Sequence, residues 1–135
     1  KDVIYRDADI ISIHVPLTAQ TRNLISRNEI STMRPGTLLI NTSRGGIINE
    51  QDLFTALESD QIAGAAIDVF EQEPYHGDLA NLDQCLLTAH MGSMSVDCRA
   101  RMEIEATEEV VRFISGELLQ SVVPEAEYDN QRLSS

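Results

Sequence analysis

Cations are scarce in this chain. Ten Lys and Arg stand against 22 Asp and Glu, for a formal net charge of −12 at pH 7. That field repels phosphate backbones and argues against nucleic-acid binding through a basic face. The excess carboxylates read as solvated helix surface. Cysteine is equally sparse. Cys85 and Cys98 are the only two, and they show no metal-ligand spacing, so no metal site is expected and a reducing cytoplasm suits them. No apolar run approaches the roughly 18 residues of a membrane span. Internal repeats and low-complexity segments are lacking too. The chain opens on "KDVIYRDADI" without an initiator Met, in mid-element, and reads as a fragment in which targeting cannot be judged.

What is present is enough for one domain with a real core. The 135 residues are 42% hydrophobic and 24% charged, the composition of a soluble globular protein. Four apolar runs are candidate strands: "IISIHV" (Ile10–Val15), "TLLI" (Thr37–Ile40), "AAIDVF" (Ala65–Phe70) and "CLLT" (Cys85–Thr88). They are mostly continuous rather than alternating, which predicts strands covered on both faces, as in a parallel sheet.

Helix signals lie between them. Asn28 is placed to cap a short turn that Pro35-Gly36 ends. Asn49 is placed to cap a longer helix, with Asp52 in its first turn and Ile48 positioned to staple onto Leu53. That helix is expected to carry "DLFTALESDQIA" and to stop at Gly64. Cys98, Met102, Ala106, Val110 and Phe113 recur at helical spacing, with Gly116 as a C-terminal cap. "EQEPYHGDLANLDQ" reads as a loop or at most one turn of helix. The tail from Val122 reads as extended or disordered.

Alternating strand and helix predicts an α/β fold with right-handed crossovers, and ligands in such sheets sit beyond the carboxyl ends of the strands. The polar residues fall at those ends. His14 and Pro16 close the first strand, and Thr42-Ser43-Arg44 follow the second. Asp68, Glu71 and Glu73 lie at or after the third, and His90 lies just after the fourth. One rim should therefore hold them all. Arg44 is aimed at a cleft there, and Gly45-Gly46 let the backbone approach a ligand closely.

Three of these stretches carry a resemblance. "ADIISIHVPLTAQTRNLI" is similar to the "ADxVxxHxPLTxxTxxLI" segment of the D-isomer-specific 2-hydroxyacid dehydrogenases. "MRPGTLLINTSRGGIINEQDLFTALESDQIAGAAIDVFEQEP" resembles the signature of that family almost residue for residue, and "LLTAHMGS" resembles its "LTPHxGG" or "LTPHxGS". The likeness covers roughly residues 7 to 118 and is strongest toward phosphoglycerate dehydrogenase-like members. It implies that residues 1–120 form the C-terminal part of an NAD(P)-binding Rossmann domain, the second half of a doubly wound parallel sheet. Residues 121–135 would then lead toward a substrate domain.

The resemblance also implies roles. Arg44, Glu73 (just before Pro74) and His90 match the family's catalytic arginine, glutamate and histidine. Reducing a 2-keto acid leaves negative charge on the carbonyl oxygen, and a histidine supplies the proton near neutrality. A carboxylate such as Glu73 stabilises the imidazolium and fixes its orientation. Arg44 clamps the substrate carboxylate in fork geometry. Asp68 matches the residue that holds the nicotinamide carboxamide. His14, Val15 and Pro16 match the lining of the adenine pocket, and Thr42 and Ser43 lie along the nicotinamide side. Gly92 and Ser93 match a backbone stretch beside the cofactor, which Arg44 and His90 also border.

Taken singly, each has an ordinary reading: His90 a satisfied surface histidine, Arg44 an ion-pair partner, Glu73 a loop carboxylate, Asp68 a capping group, His14 a hydrogen-bonded strand residue. Their joint placement at strand ends favours the shared rim. His76, Glu71 and the cysteines keep the ordinary reading, and Met91, Met94 and Met102 read as core filler.

Two departures stand out. Ala89 replaces the family's proline before the histidine, and no G-x-G-x-x-G occurs in the chain, so the phosphate-cradling turn and the ribose-reading acid are not here and NAD and NADP are not distinguished. Three readings are open. The leading one is part of an NAD(P)-dependent dehydrogenase acting on a small 2-hydroxy or 2-keto acid. The others are a non-catalytic NAD-sensing protein of the corepressor kind and an inactive truncated domain. Neither a nucleic-acid nor a membrane partner is expected. The unpaired edge of "IISIHV" predicts a homo-oligomer.

Overall fold

Four short apolar segments become strands; three are shorter than their apolar runs, and the second is shifted one residue along. The computed structural model describes residues 1–125. Its strands are β1 (Ile10–Ile13), β2 (Leu38–Asn41), β3 (Gly64–Ile67) and β4 (Cys85–Leu87). All pair in parallel in the order β1-β2-β3-β4, with Ile11 opposite Leu39, Leu39 opposite Ala65, and Ala65 opposite Cys85. Helices α1 (Asp2–Asp7), α2 (Arg27–Ser31) and α3 (Glu50–Glu58) and a 3-10 turn (Asp78–Asn81) belong with this sheet. The residues divide into two compact units, Lys1–His90 and Met91–Ser135.

Strand order that follows chain order has a consequence for cover. Right-handed crossovers between successive strands all fall on the same face. The core accordingly gathers on one side, where Ile11, Ile13, Leu39, Ala65 and Ile67 join Ile30 of α2 and Leu53 and Leu57 of α3. The opposite face leaves Ile10, Leu38 and Leu86 exposed. The expectation of strands covered on both faces is therefore corrected within the described residues. Continuous apolar runs report hydrophobicity on each face but not whether a second layer is supplied.

Local signals set the helix ends. Asn49 caps α3, its side chain accepting from the Asp52 N–H at 3.0 Å. Ile48 and Leu53 are both buried in the same cluster. α2 starts two residues earlier than Asn28 predicts: Ser26 is its N-cap, and the Glu29 carboxylate accepts from the Ser26 N–H (3.0 Å) and hydroxyl (2.7 Å). α3 ends at Glu58, with Ser59 as C-cap and Asp60 at φ 56°, not at Gly64. Ile62 is then buried on the way into β3, which Gly64 opens. Burying Ile62 on the sheet side requires the chain to leave the helix there. α1, six residues long with Tyr5 buried, carries too short a pattern to be read from sequence.

The second unit contains α4 (Val96–Ser115), capped by Ser95 and ended by Gly116 at φ 71°. None of its residues is buried. Met91, Met94 and Met102, expected as core filler, are about half exposed. The tail expectation from Val122 falls largely on residues 126–135, outside the described residues. No described helix is long and apolar enough to cross a membrane.

Candidate functional site

Parallel strands end together, so the turns leaving β1, β2, β3 and β4 share one edge of the sheet. The turn after β2 is built by Asn41, a buried amide in the last strand position. Its Nδ2 donates to the Arg44 carbonyl at 2.9 Å, and its Oδ1 accepts from the Ser43 N–H (3.1 Å) and hydroxyl (2.9 Å). Residues 43 and 44 are thus held by one side chain, with Arg44 Nη1 donating to the Ser43 carbonyl at 2.6 Å. Asn41 is a site residue that sequence reasoning missed. A polar residue closing an otherwise apolar strand was the available signal.

The two glycines that come next have different jobs from the one expected. A Cβ at Gly45 would overlap the Phe70 carbonyl and stand 2.5 Å from the Glu71 nitrogen. Gly45 therefore lets the backbone of the next turn pack against it, so the close approach comes from the protein itself. Gly46 is at φ 78°, a conformation that favours glycine.

After β3, Asp68 is buried and accepts a hydrogen bond from the Thr88 hydroxyl. The Phe70 N–H donates to Glu73 Oε1 at 3.0 Å, and the Phe70 and Tyr75 rings stack with centroids 4.2 Å apart. After β4, the His90 N–H donates to the Asp68 carbonyl at 2.8 Å and His90 adopts φ 52°. That left-handed backbone costs about 1–2 kcal/mol for a residue with a Cβ. Nδ1 of His90 lies 3.0 Å from Glu73 Oε2, which leaves Nε2 to exchange a proton with a ligand.

Leu17, Arg22, Arg44, Gly46, Glu73 and His90 line one cleft of about 440 Å³. The structure thus brings Arg44, Glu73 and His90 together. Thr42 and Ser43 sit in the Arg44 turn, and Asp68 lies in the neighbouring turn. His14, Val15 and Pro16 are exposed beyond β1, where His14 Nε2 meets the Ser12 hydroxyl at 2.8 Å. Gly92 and Ser93 belong to the second unit. Burial pushes the Cys85 thiol up to about 11, so it stays protonated and inert at neutral pH.

The His90 hydrogen bond, and secondly the Phe70 N–H, hold the Glu73 carboxyl below its ordinary value. A depressed folded value means that this bonding stabilises the turn above the ordinary glutamate range and is lost as pH falls through the folded value. In His90→Ala, the Glu73 carboxyl should titrate at higher pH than in the wild type, with the Phe70 N–H retaining part of the depression. Carbon-13 NMR of the Glu73 carboxyl reads this directly, and an unchanged midpoint would show that the pair is not formed.

Comparison with known proteins places the chain in a family. Residues 1–92 match the D-isomer specific 2-hydroxyacid dehydrogenase, NAD binding domain. A glyoxylate reductase of Thermococcus litoralis is 37% identical over 123 residues, covering 90% of this chain and 37% of that protein. A D-3-phosphoglycerate dehydrogenase of Synechocystis is also 37% identical over 123 residues, covering 90% of this chain and 22% of its own length. The solved glyoxylate reductase from Paecilomyes thermophila superposes with a TM-score of 0.86 at 34% identity, over 93% of this chain and 38% of that one. The chain spans well under half the length of these relatives. The α/β parallel sheet is the Rossmann-like half expected from sequence. The chain belongs to the D-isomer-specific 2-hydroxyacid dehydrogenase family, as part of its NAD-binding domain.

Proposed function

We propose that the protein containing this chain interconverts a 2-hydroxy acid and its 2-keto acid with NAD or NADP. The observation that carries this is the His90–Glu73 pair at 3.0 Å on a cleft that Arg44 also lines. The rim suits the two ends of a dinucleotide. Asp68 offers a carboxylate beside the Thr42-Ser43 turn, and His14, Val15 and Pro16 offer an exposed, partly apolar surface. When bound, the nicotinamide supplies or accepts the hydride.

The side chains do the rest. Arg44 holds the substrate carboxylate in a two-pronged contact and draws charge from the adjacent carbonyl. His90 Nε2 gives a proton to the carbonyl oxygen during reduction and takes it from the hydroxyl during oxidation. Glu73 holds the ring from the opposite nitrogen and stabilises the imidazolium while it exists. The relatives named as glyoxylate reductase and phosphoglycerate dehydrogenase support a small 2-keto acid as substrate. Intact protein should oxidise NADH or NADPH when given glyoxylate, hydroxypyruvate or phosphohydroxypyruvate, and His90→Ala should stop it. A protein that binds the dinucleotide but turns over none of these would favour a sensing role.

The reading extends to partners. β1 is hydrogen-bonded to β2 alone among the described strands, and Ile10 is 59% exposed beside that open edge. An unpaired apolar edge templates association, and an antiparallel pair of β1 strands across a twofold axis satisfies both copies equivalently. Repulsion at −12 is screened beyond about 8 Å in physiological salt. Light scattering of the 135-residue chain should therefore show a dimer or larger species; a folded monomer at high concentration refutes the association.

A further inference from the structure

We infer that Glu50, in the first turn of α3, is a positioning residue that fixes the peptide preceding Glu73 and so sets the Glu73–His90 pair. The inference rests on the proposed catalytic roles and adds a residue outside the rim to them. Its basis is a single peptide plane. The Glu71 N–H donates to Glu50 Oε1 at 2.7 Å. The Phe70 carbonyl, the other pole of that peptide, is packed against Gly45. Gly45 lies against the flat of that peptide, close to the Glu71 nitrogen as well as the Phe70 carbonyl, and Glu50 holds its N–H. One rigid unit is thus held on its face and at one end.

The path of the chain toward Glu73 depends on that grip. The N–H of Phe70 itself donates to Glu73 Oε1 at 3.0 Å, while Glu73 Oε2 meets His90. Two consecutive amides are thus aimed at two carboxylates, one from the same turn and one from a helix. If the 70–71 peptide turned about the Phe70 Cα–C bond, residues 71–73 would swing with it. The Glu73 carboxylate would then be carried away from the Phe70 amide, which lies in the preceding peptide, and would lose one of its two fixed partners. Glu50 is a costly choice for a mere surface group, since burial raises its carboxyl above the ordinary range and the Glu71 N–H only partly offsets this. A charged acceptor makes the stronger bond to a backbone amide. Arg22 reaches Glu71 only at 3.9 Å with both groups about half exposed, which is too weak a tie to replace it.

The test uses the intact protein with Glu50→Ala, Glu50→Gln and Glu50→Asp. Glu50→Ala should lower kcat about 10- to 100-fold, because small misplacement of a reacting group carries such a cost, with KM within about twofold, because Asn41 holds the Arg44 turn independently. Glu50→Gln keeps an acceptor oxygen and should restore most of kcat. Glu50→Asp keeps the charge but is one methylene short, and should behave like Glu50→Ala; it substitutes for Glu50→Ala if that variant does not fold. Amide exchange at Phe70 should speed up at least tenfold in the Ala and Asp variants and stay slow in Gln. Unchanged kcat, or lost kcat with Phe70 exchange unchanged, overturns the inference. Should His90→Ala prove fully active, the catalytic reading fails, and Phe70 exchange alone decides whether Glu50 anchors the turn.

Discussion

His90→Ala in the intact protein should lower kcat for keto-acid reduction by about 10²- to 10⁴-fold, the range for loss of a positioned proton donor. Dinucleotide binding should be nearly unchanged. In the proposed mechanism the imidazole acts on charge that develops on the substrate oxygen only as hydride arrives, so its loss should fall on the transition state rather than on the ground-state complex. Geometry makes the assignment specific. Nδ1 is occupied by Glu73, and residue 90 keeps a left-handed backbone while that contact is made. Arg44→Lys should separate a different contribution, raising KM mainly and lowering kcat less, because an ammonium cannot reproduce the fork. Steady-state and single-turnover kinetics on both variants distinguish the two roles. A fully active His90→Ala would remove the acid–base assignment.

Gly45→Ala should destabilise the fold by about 3 kcal/mol, at the upper end of what overpacking usually costs. The added methyl group would meet the Phe70 carbonyl and the Glu71 nitrogen, both backbone, and neither can move aside as a flexible side chain would. One turn must shift, and each carries part of the site: Arg44 on one side, Glu73 on the other. Stability and activity should therefore fall together. Gly36→Ala is the control, since nothing lies within 4 Å of a Cβ there, and a change at a compatible position is neutral or slightly stabilising. Urea unfolding of the two variants gives the comparison. Equal midpoints would mean that the two turns can separate without cost.

Much of this arrangement was legible in the sequence, and the reasons differ by residue. The strands announced themselves as apolar runs, but the first and third runs overshoot their strands because apolar residues continue past the last ladder bond. Val15 and Phe70 show the two ways this happens: the first is exposed beyond β1, the second buried in the turn after β3. Arg44, Glu73 and His90 were found through motif likeness and strand-end position, both properties of the chain read in one dimension. Glu50, Asn41 and the contact of Gly45 with Phe70 were not found. Glu50 and the Gly45–Phe70 contact depend on which turn lies opposite, a pairing made by sheet register between residues far apart in the chain, whereas Asn41 bonds within its own turn, to Ser43 and Arg44. The one-sided core escaped for the same reason, since it is set by strand order.

β4 gives the site an uneven foundation. It is three residues long, pairs with β3 alone, and contains no fully buried side chain. β2, which leads to Arg44, has a hydrogen-bonded neighbour on each flank. Local opening concentrates where few buried contacts oppose it, so thermal fraying of this sheet should begin at β4. His90, the proposed proton donor, thus follows the most easily detached strand, and Arg44, the proposed carboxylate clamp, follows a central one. On the proposed roles, a chain caught in that opened state would still bind the acid but would lack the proton donor for its carbonyl oxygen. Affinity for the acid and capacity to turn it over would then part company on warming before the domain melts.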